Sequence, residues 1–339
     1  MIGGLQSRYW GILGLVGLLC LLILSFIGVF FFINASWPYQ RPSYIVAEMS
    51  ERLEELWVSS DFFTSTNSFP SCPLIEASEG TLFLSGGFSW PPSNVIYAFD
   101  GNTGQILWKQ NNIDSHAFSC FFATPEALFV GSNGSGRITA YNPIKGSVLW
   151  TKKLPGARSA GSFYVVDNIM DVTPTPRGRV RYFVNAENGE ILRDFTSPFT
   201  LKTMQEAAVQ LGITQTHKIH VTPWPITQNG VSINQDGYGI HAHNPKTDEL
   251  LWEWSDINSN ILVTRENVYF LTSANELVRL SLQTGSIIDF VKFEPTANSA
   301  FESSDLDADT NKVAFDESTN QLYITFGDSA QIFAFRITH

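Results

Sequence analysis

Ile96 to Trp108 reads IYAFDGNTGQILW, and Ile138 to Trp150 reads ITAYNPIKGSVLW. Each phrase is an alternating run, a turn closed by Gly104 or Gly146, and a second run that ends on tryptophan. A period of two marks a strand, and a glycine closing the turn supplies positive φ at low cost. The two glycines stand 42 residues apart. A third copy, RYFVNAENGEIL, runs from Arg181 to Leu192 with Gly189 a further 43 residues on. The fourth, IHAHNPKTDELLW from Ile240 to Trp252, has Asp248 in the glycine position. A fifth, LVRLSLQTGSII, spans Leu277 to Ile288 with Gly285, and the sequence stops on QIFAFRITH from Gln331, the first half of the phrase.

Another strand precedes each phrase, as in Leu82 to Ser85, Leu128 to Gly131, Val268 to Leu271 and Leu322 to Phe326. Three or four antiparallel strands at a repeat of roughly 40 residues make a propeller blade, which must stack on neighbours to bury both of its faces. The fold class is therefore all-β: a propeller of six four-stranded blades. Intervals of 59 residues between Gly189 and Asp248 and 55 between Arg279 and Ala334 leave room for a divergent seventh. Insertions are the preferred reading, with Leu201 to Leu211 helical and Ala297 to Thr310 a polar loop. The closing tryptophans are expected to pack between blades. Since the last half-phrase lacks its outermost strand, Leu56 to Phe62 is predicted to supply it and close the ring from both termini.

Ala98, Asp100, Gly104 and Trp108 together resemble the PQQ-like (quinoprotein-type) propeller repeat, Ala-x-Asp-x-x-x-Gly-x-x-x-Trp. The resemblance covers roughly Cys72 to His339. It implies a propeller, and in its enzyme members a quinone cofactor beside vicinal cysteines with calcium and an aspartate base. This sequence has no vicinal cysteines, so no residue carries over as catalytic and no PQQ is expected.

From Tyr9 to Gln40 there is no charged residue, and Trp10 to Ile33 is apolar or small throughout. As a helix that stretch is about 36 Å long, enough to span a hydrocarbon core of roughly 30 Å. The domain reading is a cytoplasmic head at 1–9, a transmembrane helix at 10–34, a stalk at 35–58 and the propeller at 59–339. Within the stalk, Ile45, Met49, Leu53 and Leu56 recur at helical spacing and predict a short amphipathic helix from Tyr44 to Trp57. A cleaved signal peptide would have a shorter apolar core. Cys20 follows Gly17, Leu18 and Leu19, which is not a lipid-attachment context. Positive charge is nearly balanced across the run, so the extracytoplasmic placement of the propeller rests on the signal-anchor logic. With a net charge of −11, the chain is a poor match for phosphate backbones, and nucleic acid is excluded as a partner.

Candidate sites are few. Asp305, Asp307 and Asp309 alternate ahead of Asn311 and Asp316, oxygen ligands at calcium-loop spacing, although Thr310 stands where such a loop has glycine. The alternative is a solvated acidic loop. Cys72 and Cys120 open successive blades and either form a disulfide or remain two buried thiols. His241 and His243 share one sheet face, which suits a transition metal, but Tyr97 and Phe99 hold those positions in the first copy and make them packing positions. Trp90 and Trp224, flanked by prolines, are candidate binding-loop aromatics.

These features point to a non-enzymatic, membrane-anchored extracytoplasmic propeller that binds protein partners of the membrane or envelope as a scaffold or assembly factor. The alternatives are a ligand-sensing ectodomain and, last, a PQQ-dependent dehydrogenase.

Overall fold

The computed structural model describes residues 43–59, 62–64, 75–87, 95–111, 118–166, 168–175, 180–196, 219–220, 226–236, 239–296, 311–326 and 331–338. By its contacts the chain divides into two units, Met1–Arg41 and Pro42–His339, of which the first lies outside the described residues. The stretch predicted to cross a membrane belongs to that first unit. Among the described residues no helix is long and apolar enough to do so.

The second unit opens with β1 (Tyr44–Met49) and β2 (Leu53–Ser59). Blade one follows as β3 (Phe63–Thr64), β4 (Ile75–Ser78), β5 (Thr81–Gly87), β6 (Val95–Asp100) and β7 (Ile106–Asn111). Blade two is β8 (Phe118–Ala123), β9 (Leu128–Ser132), β10 (Arg137–Tyr141) and β11 (Val148–Lys153). Blade three is β12 (Ser159–Val166), β13 (Ile169–Thr175), β14 (Val180–Asn185) and β15 (Ile191–Thr196). After β16 (Ile219–His220), blade four comprises β17 (Ile226–Gln228), β18 (Val231–Asp236), β19 (Gly239–His243) and β20 (Leu250–Ser255). Blade five contains β21 (Leu262–Val263), β22 (Asn267–Leu271), β23 (Glu276–Ser281) and β24 (Ile287–Pro295). Blade six contains β25 (Lys312–Asp316), β26 (Gln321–Thr325) and β27 (Ile332–Ile337).

Each blade is an antiparallel meander, and the described residues form six such sheets. The ring closes through the N-terminus: β2 pairs with β27 and supplies the fourth strand of blade six. Closure by shared strands was expected from the half-phrase, but the strand begins at Leu53 rather than Leu56. β1 adds to the outer edge of β24 in blade five, so the two N-terminal strands span the seam between blades five and six.

This corrects the stalk reading. Tyr44 to Trp57 is two strands, and the propeller begins ahead of residue 59. Two β-bulges explain the error, because the register shifts between Val46 and Glu48 in β1 and between Glu55 and Trp57 in β2. An extra residue in a strand switches which face the next side chain meets. Tyr44, Val46 and Met49 therefore reach the core together, while Ile45 of the expected stripe is exposed. Open edges on β24 and β27 then decide the backbone, since a short isolated helix is marginal on its own.

Apolar clusters fill the seams. Phe293, Phe326, Phe333 and Phe335 join blades five and six, while Phe62, Tyr97, Phe99 and Tyr323 join six and one. Further clusters lie between blades one and two, two and three, and four and five. At the five–six seam the Asn260 side chain acts as a piece of strand. Its Oδ1 accepts from Val313 N at 2.7 Å and its Nδ2 donates to Val313 O at 2.9 Å.

Candidate functional site

The repeat phrase builds a latch between blades. In blade one, Asp100 Oδ1 accepts from the amides of Asn102 and Thr103 at 3.0 and 2.8 Å, which folds the turn back on itself. Asn142, Asn185 and Asn244 cap the equivalent turns. Gly104 ends the turn at φ 71°, and its amide donates to Asp100 O at 2.8 Å. The tryptophan of the preceding blade lies on that turn. Trp57 Nε1 donates to Gly101 O at 2.8 Å, Trp108 to Pro143 O at 2.7 Å, Trp150 to Ala186 O at 2.9 Å and Trp252 to Leu282 O at 2.9 Å. A methyl group at Gly104, Gly146, Gly189 or Gly285 would meet the ring at 2.9, 2.6, 2.7 or 2.6 Å, so the glycine serves the ring as well as the backbone. Within its own sheet each tryptophan lies opposite an alanine: Ala334, Ala98, Ala140 or Ala242.

Two blades depart from this pattern. In blade five the alanine and tryptophan positions hold Arg279 and Asp289, opposite one another and joined Nη1 to Oδ2 at 2.8 Å. Blade six offers no turn to receive a tryptophan there, because β27 and β2 are not consecutive in the chain. Ser50, in the connection between β1 and β2, instead donates to Asp289 Oδ1 at 2.9 Å. In blade three the same two positions hold Phe183 and Arg193, and the turn of blade four ends on Asp248 at φ 59°.

The seam between blades three and four consequently has a different chemistry. Ile240 and Ala242 pack toward blade five, so the alternate residues His241 and His243 face blade three. Asn234 and Glu253 flank His241 in the ladder, and Ser232 flanks His243. Where blade one buries Tyr97 and Phe99, this face of blade four is polar, and the two histidine side chains are 28 and 30 % exposed. Their rings lie 6.5 Å apart, with Glu253 Oε2 3.6 Å from His241 Nδ1 and Asp248 Oδ1 3.8 Å from His243 Nδ1. In blade three, Arg181 is ion-paired with the buried Asp171, on the face that alternates with the one packed on blade two.

Most of the residues singled out in the sequence fall elsewhere. Asp305, Asp307, Asp309, Trp90, Trp224 and Cys72 lie outside the described residues, as do the stretches read as a helix and a polar loop. Cys120 is disulfide-bonded and buried in β8. Asp316, the last residue of the calcium-loop pattern, belongs to β25 and its carboxylate is engaged: Oδ1 accepts from Ser318 N and Oγ, and Oδ2 accepts from Gly80 N across the seam. No group of three or more potential metal ligands converges among the described residues. Sequence reasoning missed Trp57, whose signal was a tryptophan closing LEELW as Trp108 closes GQILW.

Six meandering sheets, a capped turn and an inter-blade tryptophan together define a propeller of the PQQ-like class. A family model described as outer membrane protein assembly factor BamB matches residues 92–325, and the chain belongs to that family. No curated protein matches it. Among solved structures, BamB from Moraxella catarrhalis is similar at 13% identity and a TM-score of 0.44, over 88% of this chain and 98% of that one. A chain of the mitotic checkpoint complex is similar at 11% identity and a TM-score of 0.52, over 87% and 98%. At that identity the second likeness speaks for the fold alone.

Proposed function

We propose that this protein is a non-enzymatic scaffold of the cell envelope, held to a membrane by one N-terminal span, whose propeller binds a membrane or envelope protein. Its family supports the protein-binding part, since the matching model is that of an assembly factor. Anchoring is supported by the charge-free run from Tyr9 to Gln40. An extracytoplasmic position is supported by the disulfide of Cys120, a bond that persists in oxidising compartments.

The observation that carries the reading is the polar face of blade four. Every ring seam needs complementary surfaces, and aromatic side chains at the His241 and His243 positions would seal this one as they seal blade one. Partly exposed histidine, asparagine and carboxylate groups are instead suited to hydrogen bonding with a partner. The test is purification of the tagged protein from mild detergent with a photo-crosslinking residue at His241 and, as control, at Thr103. A stoichiometric envelope or membrane protein crosslinked from position 241 alone is the expected result. A clean, uncrosslinked monomer would remove the scaffold reading and turn attention to a small ligand. Protease added to spheroplasts should also remove the propeller, and full protection would overturn its extracytoplasmic placement.

A further inference from the structure

The two N-terminal strands do unequal work. β2 completes blade six and carries Trp57, the latch onto blade one. β1 is supernumerary, because blade five already has β21 to β24 without it. Beyond its ladder with β24, the side-chain hydrogen bonds that hold it are sited at its ends. At the start, Gln331 Oε1 accepts from Tyr44 N at 2.6 Å, Gln331 Nε2 donates to Tyr44 O at 3.2 Å, and the Ser43 and Thr296 hydroxyls meet at 2.6 Å. At the far end, Ser50 holds Asp289. Between them Ile45 is 55 % exposed, and Val46 and Met49 are only partly buried. The Tyr44 ring, stacked on Phe326 at 4.3 Å, is the one large side chain that β1 buries.

What β1 covers is also unusual. Asp289 is almost wholly buried, and Arg279 Nε has no hydrogen-bond partner among the described residues although it too is shielded. A buried ion pair stabilises only when its remaining hydrogen-bonding sites are filled. Ser50 fills one of them, so the β1–β2 turn and the Arg279–Asp289 pair depend on each other.

We propose that β1 is a releasable clasp: it unzips from β24 as a unit, with Ser50 on Asp289 as its catch, while β2 stays locked in the ring. Since the chain ahead of Ser43 joins the propeller through β1, the clasp is the first element of the ring to respond to load or cleavage on that side. Release opens the outer edge of β24 and gives water access to Asp289.

Native-state hydrogen exchange on the full-length protein tests this, read by mass spectrometry on peptides covering 44–49, 287–295, 53–59 and 332–337. The expected result is that 44–49 and the outer edge of 287–295 exchange together, well before 53–59 and 332–337. Ser50→Ala should speed those two segments alone by about tenfold, the size of losing one hydrogen bond to a charged group. Asp289→Asn should act in the same direction. If 44–49 is protected as strongly as 53–59, or if Ser50→Ala accelerates all four segments equally, β1 opens only when the whole ring does and the clasp does not exist.

Discussion

Trp57 lies directly opposite Ala334, the third residue of β27, and from there its indole reaches the turn of blade one. One residue from the N-terminal side of the propeller thus completes blade six and fastens it to the next blade. The same geometry holds Trp108, Trp150 and Trp252, but only Trp57 joins segments from the two ends of the propeller.

Trp57→Ala should therefore cost more than its half-buried position suggests. Truncating a packed tryptophan removes about 3 kcal/mol. Here the loss also loosens the one tryptophan latch that the described residues place on the closing seam. Urea denaturation should show Trp57→Ala losing about 3 kcal/mol, at least as much as Trp108→Ala. A clearly smaller loss would mean that ring closure rests on the β2–β27 ladder alone.

The turn position supports a paired prediction. Gly104→Ala has to place a methyl group at positive φ and against the Trp57 ring, and should destabilise by 2 kcal/mol or more, on the order of the left-handed penalty plus a displaced ring. Asp248→Gly should do the reverse. That residue already sits at φ 59° with its side chain 99% exposed, so relief of the backbone should stabilise by about 1 kcal/mol. Thermal melts of both variants check the pair, and destabilisation by Asp248→Gly would point to a role for its carboxylate at the polar seam.

Tyr323 gives a pH dependence. Its phenol is buried, donates to Gln321 Oε1 at 2.7 Å, and has its pKa pushed well above the usual tyrosine range by desolvation and by the nearby Asp316 and Asp100 carboxylates. Folded protein holds this proton where the unfolded chain has released it. Its contribution to stability is complete below about pH 10 and falls as the pH rises further. Melting temperature measured from pH 8 to 11.5 should drop steeply above pH 10, and Tyr323→Phe should flatten part of that drop while costing about 1 kcal/mol at pH 8. An unchanged alkaline slope in the variant would assign the effect to other groups, Tyr269 first among them.

The repeat was legible because the blades reuse the same few residues for the same tasks: a capping Asp or Asn in blades one to four, a turn glycine in blades one, two, three and five, a tryptophan opposite alanine in blades one, two, four and six. Terminal closure followed from the spacing, while the long intervals left a seventh blade open that the six sheets do not contain. The N-terminal strands were hidden by their bulges, the first of which puts Met49 on the same face as Tyr44 and Val46 and breaks the alternation that betrays a strand. The polar seam was half visible. His241 and His243 stood out as a pair, but reading them as packing positions assumed that blade four repeats blade one. Only the three-dimensional alternation turns them away from the core shared with blade five, onto a face where Asn234 and Glu253 are also polar. Asp316 has a task its spacing did not show: its oxygens cap a turn and bridge to Gly80, while Asp305, Asp307 and Asp309 lie outside the described residues.

The disulfide of Cys120 settles one of the two states the sequence allows for that thiol. The chain has three cysteines, and Cys20 lies in the charge-free run, which leaves Cys72 as the proposed partner. A bridge between segments of neighbouring blades constrains the unfolded chain and should contribute about 2–4 kcal/mol. Peptide mapping without reduction should recover the Cys72 and Cys120 peptides linked, in the wild type and in Cys20→Ser alike. Cys72→Ser and Cys120→Ser should lower stability by equal amounts, and reduction should add nothing further to either. A free thiol at Cys120 in Cys20→Ser would assign the bond to Cys20 and tie the propeller covalently to the N-terminal unit. A free thiol in the wild type isolated from cells would remove the support that the bond lends to an oxidising compartment.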